Sequence, residues 1–175
     1  FPPEINFTTD PQIRYDRLSS RWILQIIDVP SSDENTIGDI PNRVLLAVSD
    51  AASAGVISAS TVWTFYFIQQ DTVGGADTGE FLDYDSLGVD SKALYIGGNM
   101  FSAVSGTFNN TAGFVVQKSS ILNGGPILTT AFRDLITAGI SGDGPDSPRG
   151  VDNLDPNTNE GYFIGASDSA FGRII

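Results

Sequence analysis

The chain contains no histidine and no cysteine. Ser-His-Asp and Cys-His catalysis, zinc sites built on imidazole or thiolate, iron–sulfur clusters and disulfides are therefore excluded. Basic residues are scarce: 9 Lys+Arg against 21 Asp+Glu give a net charge of −12. Such a surface repels phosphate backbones and anionic lipid, so neither nucleic acid nor a membrane is an expected partner. No run approaches the roughly 18 apolar residues that a membrane helix requires. The opening Phe1-Pro2-Pro3-Glu4 has neither the basic start nor the apolar stretch of a signal peptide, although a removed signal would leave no trace. Chemistry is left to carboxylates, hydroxyls, a few cations, and oxygen-liganded metals such as Ca2+.

What is present suits one domain. The 175 residues are 41% hydrophobic, enough for a single core. An acidic, Lys-poor, Cys-free chain rich in Gly, Ser, Thr and Asn reads as a bacterial exported protein, and an extracellular location is expected. Two glycosylation triplets, Asn6-Phe7-Thr8 and Asn109-Asn110-Thr111, matter only in a host that glycosylates.

Short apolar segments rich in β-branched and aromatic residues recur between turn-formers. They lie at 21–28, 43–49, 62–68, 93–98, 113–117 and 160–166, with another at 171–175. Each is strand-sized. Trp63, Phe65 and Phe67 alternate with Thr64, Tyr66 and Ile68, which places one aromatic row on one face of a sheet. Polar loops are expected at 30–42, 71–79 and 139–149. The short helical candidates are 51–55 and 119–123, and 130–138 reads as helix or strand.

Three segments share a plan: a short strand ends in Asp at a turn, and an apolar strand containing an aromatic returns. They are Ile13-Arg14-Tyr15-Asp16 with Arg21-Trp22-Ile23-Leu24, Leu87-Gly88-Val89-Asp90 with Ala93-Leu94-Tyr95-Ile96, and Val151 to Asp155 with Gly161-Tyr162-Phe163-Ile164. The carboxylate of each Asp can accept turn N–H groups. Positions 16, 90 and 155 are spaced by roughly similar intervals, which suggests one hairpin repeated. With the strands that follow, the units span about 10–70, 83–138 and 148–175. Four strands per unit is the blade of a β-propeller. The expected fold is all-β with antiparallel, four-stranded propeller-type blades, about two and a half of them; the alternative is a β-sandwich or jelly roll.

Asp10-Pro11-Gln12-Ile13-Arg14-Tyr15-Asp16 followed by Arg21-Trp22 resembles the opening blade of large secreted bacterial β-propeller proteins. Asp83-Tyr84 with Leu87-Gly88-Val89, then Asn99-Met100-Phe101 and the stretch 113–125, are similar to their next blade. The resemblance covers most of 10–167. Propellers have at least four blades, so it implies a piece of a longer protein or closure by other chains. Members of that group mostly lack a settled activity.

Asp77-Thr78-Gly79 matches the aspartic-protease triplet, but Glu80 follows it and no second copy exists, so a loop turn is expected. Asp155 and Asn157 place oxygen donors at alternate positions, as calcium loops do; the plain reading is a polar hairpin turn. Asp10, Asp83, Asp85 and Asp152 lie on the repeated first strands and could ring a cation, the plain reading being turn caps or a solvated channel. These six are the candidate metal ligands, with Ca2+ the candidate ion. Asp143-Gly144-Pro145-Asp146 reads as an exposed loop. Trp22 and Trp63 could stack on sugar, but their apolar strands favour core packing. Gly74-Gly75 and Gly97-Gly98 lack the Lys-Ser/Thr of phosphate loops.

The function expected is a non-catalytic extracellular binding or structural module, partnered by other blades or other chains, with carbohydrate a candidate ligand. The alternatives are a fragment of a carboxylate-dependent carbohydrate-active enzyme and a subunit of an extracellular fibre or layer.

Overall fold

The computed structural model describes residues 6–33, 35–136, 144–167 and 173–174. The protein is all-β and its sheets are antiparallel. Strands β1 (Asn6–Asp16), β2 (Arg21–Pro30), β3 (Arg43–Ser49) and β4 (Trp63–Gln69) form the first sheet in chain order. A two-stranded hairpin, β5 (Thr72–Val73) and β6 (Ala76–Asp77), follows. The second sheet is another meander of β7 (Glu80–Val89), β8 (Ala93–Ser102), β9 (Phe108–Gln117) and β10 (Thr129–Phe132), with the one-turn helix α1 (Lys118–Leu122) between its last two strands. The third sheet is β11 (Asp146–Gly150), β12 (Phe163–Ser167) and β13 (Arg173–Ile174).

Most strand expectations hold within a few residues. The short strand expected at 151–155 is coil, and the first strand of that unit is β11, which begins inside the loop expected at 139–149. Two further expectations differ. Residues 51–55 are turn rather than helix, with Ala54 and Gly55 both at positive φ. In 130–138 the chain is strand only to Phe132, and 137–138 fall outside the described residues. Of the strand expected at 171–175, only Arg173–Ile174 lies within the described residues.

The principal core lies between the first and second sheets. Ile23, Ile27, Val44, Leu46 and Val48 from one face meet Leu87, Leu94, Ile96, Phe114 and Val116 from the other, all essentially buried. The third sheet covers the opposite face of the second, where side chains are small. A Cβ on Gly97 would lie 2.3 Å from the Pro148 carbonyl oxygen, and one on Gly88 would lie 2.3 Å from the Gly150 carbonyl carbon. Phe163 lies against Gly97 and Gly113 and meets Tyr95 edge-on at 5.8 Å. Glycine here allows two backbones to approach where any side chain would hold them apart.

The first strands of the three sheets share a defect. β1 slips register between Thr9 and Gln12, β7 between Asp83 and Ser86, and β11 between Asp146 and Arg149. Each slip holds a non-glycine residue at positive φ: Asp10 at 53°, Tyr84 at 55° and Ser147 at 46°. Six residues after each comes an Asx turn. Asp16 accepts from Leu18 N at 3.1 Å, Asp90 from Lys92 N at 2.6 Å, and Asn153 from Asp155 N at 3.0 Å. The third turn residue is therefore Asn153, two positions before the Asp155 expected from the sequence. Asp155 caps the next turn, accepting from Asn157 N at 2.9 Å.

Candidate functional site

The bulges bring acidic residues of adjacent sheets together. Left-handed backbone at Asp10 turns its carboxylate across to the second sheet, where Oδ2 accepts from Tyr84 N at 2.9 Å. Asp83 feels the Asp10 charge, and Asp85 feels the charge of both. Asp85 is 2% exposed, and Gln25 Nε2 donates to its Oδ2. Burial, then repulsion from Asp10 and Asp83, pushes the Asp85 carboxyl up to about 8, against an opposing pull from Arg149. Burial and the Asp10 charge raise Asp83 too, against the pull of its Tyr84 backbone hydrogen bond.

At neutral pH, then, Asp85 holds a proton. Its Oδ1 and the Oε1 of Gln25 are both buried and have no hydrogen-bond partner among the described residues. A neutral carboxyl facing an amide has one donor and one acceptor for the amide's acceptor and donor, which satisfies both. An ionised one has no donor for Gln25 Oε1, and an unsatisfied buried acceptor costs about 1–3 kcal/mol.

Beside this cluster is a shallow hollow of about 450 Å3, lined by Tyr84, Ser147, Arg149, Ile164 and neighbours. The Arg149 guanidinium lies 4.5 Å from the Tyr84 ring centroid and donates to the Asp85 carbonyl at 3.5 Å. Tyr84 is 54% exposed. A half-exposed aromatic, a cation and adjacent acids form a surface able to hold a polyhydroxylated ligand by stacking and hydrogen bonding.

The other candidate ligands lie elsewhere. Asp152, in the coil after β11, accepts from Val89 N of the second sheet at 2.9 Å and pairs with Arg14 of the first at 3.3 Å. Asp155 and Asn157 sit in an exposed turn. The six expected ligands thus divide into a trio and two separate places, and among the described residues no group of three or more acids is arranged to hold a metal ion.

Asp77 is the exposed last residue of β6 and accepts from Gly79 N at 2.7 Å. Asp146 belongs to β11 and Asp143 lies outside the described residues. Thr111 of the second glycosylation triplet is buried and donates to the Pro145 carbonyl at 3.0 Å, so its hydroxyl serves packing between sheets. Trp22 and Trp63 are half-buried on the outer face of the first sheet rather than in the core; Trp22 Nε1 donates to the Gly55 carbonyl at 2.7 Å.

Sequence reasoning missed a buried polar cluster at the far end of the first strands. Lys118 Nζ pairs with Asp16 at 2.8 Å and donates to the Asp90 carbonyl, while Tyr95 donates to Asp90 Oδ2 at 2.6 Å. The lysine at the start of α1 thereby ties the turn of the second sheet to that of the first. Burial and then the Asp90 hydrogen bond hold the Tyr95 hydroxyl above its ordinary range. The signal available in the sequence was a Lys directly after an apolar strand in a Lys-poor chain.

No family model, curated protein or solved structure matches the chain.

Proposed function

We propose that the protein is a non-catalytic extracellular binding or structural module, built from successive propeller-type sheets within a longer or multi-chain assembly. The observation that carries this reading is the coincidence of bulge and Asx turn on three first strands that pack side by side. One structural unit used three times accounts for a positive φ and a capping turn six residues apart in each copy. The acidic surface and the missing histidine fit an exported module that binds rather than turns over its ligand. Its binding surface is the Tyr84–Arg149 hollow, and its ligand class is carbohydrate.

One observation favours a second reading, a carbohydrate-active enzyme: two carboxyls with raised pKa stand beside an exposed aromatic. Glycoside hydrolysis uses one protonated and one ionised acid. The burial of Asp85 and its engagement with Gln25 weigh against this, because an acid catalyst must reach the glycosidic oxygen.

A glycan panel separates the two, with binding read by calorimetry and turnover by release of reducing ends. Binding that Tyr84→Ala weakens, without turnover, supports the module. Turnover abolished by Asp83→Asn or Asp85→Asn would replace it with the enzyme.

A further inference from the structure

The register ladders give every sheet a comparable row. Three residues beyond each bulge residue, the rows are Ile13-Leu24-Ala47-Phe65, Leu87-Ile96-Phe114-Ala131 and Gly150-Phe163. The second row packs into the core against the first sheet, and the third row packs on the second sheet through Phe163. Each sheet thus lays the same face on its predecessor. The first row lies on nothing among the described residues: Ile13 is 50% exposed, Phe65 is 76% exposed, and the row borders an apolar hollow of about 530 Å3.

Among the described residues the complementary face is open as well. The row one residue nearer the bulge receives the next sheet: Gln25 and Leu46 in the first sheet, Gly97 and Gly113 in the second. In the third sheet that row is Arg149-Ile164, and Ile164 is 44% exposed. One chain therefore carries both halves of an interface it already makes twice.

We propose that the open row on the first sheet docks on the Arg149-Ile164 face of a second copy of this chain, head to tail; this face borders the Tyr84 hollow, so the second copy and a glycan compete for it. This deepens the proposed module, on whose successive sheets it rests. The contact continues the packing already present between the first and second sheets and between the second and third. It is heterologous, so it closes into a ring or extends, according to the rotation per sheet. Because each copy carries a charge of −12, added salt strengthens the association by screening repulsion, while the apolar contact persists.

Sedimentation equilibrium of the 175-residue chain across a concentration series tests this, with Phe65→Lys and Ile164→Lys as variants. Expected is a concentration-dependent mass in multiples of 18.6 kDa. Each variant raises the dissociation constant at least tenfold. An equimolar mixture of the two recovers a 1:1 pair of wild-type affinity, because one intact row meets one intact receiving face, and this recovery also shows both variants folded. A monomer at every concentration and salt overturns the proposal. So does loss of assembly with Phe65→Lys but not Ile164→Lys, which means like faces pair. Either result leaves the module reading standing, whereas glycan turnover would remove that reading and not alter the mass.

Discussion

Replacing Asp85 by Asn makes the charge state of the buried cluster measurable. In the folded protein the carboxyl titrates near 8, far above the usual carboxylate range. Between pH 5 and 7 the native state keeps this proton and the unfolded chain releases it. Stability from this group is therefore complete below about pH 4, falls as pH rises, and levels off above about 8. Each pH unit inside that window costs about 1.4 kcal/mol, so Asp85 alone removes up to about 3 kcal/mol between pH 5 and 7. For a domain of this size that is a fall of roughly 5–10 °C in Tm. The amide introduced by Asp85→Asn is neutral throughout and offers Gln25 the same donor and acceptor. D85N should match the wild type near pH 4 and exceed it by about 3–4 kcal/mol at pH 7, read by urea denaturation at half-unit intervals. Asp39 and Asp50, whose carboxyls are lowered chiefly by hydrogen bonds from Ser32 and from the Val62 amide, act in the opposite sense at acid pH in both proteins, so the difference isolates Asp85. Parallel pH profiles, or a D85N protein less stable than the wild type at pH 7, would refute the neutral pair.

The linking lysine gives a second outcome: Lys118→Met leaves Asp16 buried without its partner and should cost about 3–5 kcal/mol in urea. Gly97→Ala places a methyl against the Pro148 carbonyl; hydrogen exchange should speed up over 146–166 by tenfold or more while the first-sheet strands stay protected, at an overpacking cost of about 1–3 kcal/mol. Tyr95→Phe removes the donor to Asp90 and should destabilise by about 1–3 kcal/mol, with the loss seen by thermal melting at pH 7.

Strands were legible because their cause is local. Alternation such as Trp63-Phe65-Phe67, and dense β-branched runs such as 21–28, mark a pleated surface whatever it packs on. The turn residues Asp16 and Asp90 were legible for the same reason, since an Asx turn forms within three residues. The third turn was placed two residues late because Asn153 takes the place of an Asp and the stretch to β12 is longer than a tight hairpin.

The bulges were not legible: a Pro follows the positive-φ residue at Asp10-Pro11 and Ser147-Pro148 but not at Tyr84-Asp85, so no one residue pattern marks all three. Nor was the Gln25–Asp85 pair, whose partners stand 60 positions apart. Alternation fixed which residues share a face, because side-chain direction follows from the backbone of one strand. Which faces are covered, and which acid is neutral, was decided by tertiary structure, because burial and charge coupling depend on what a different sheet places within a few ångströms.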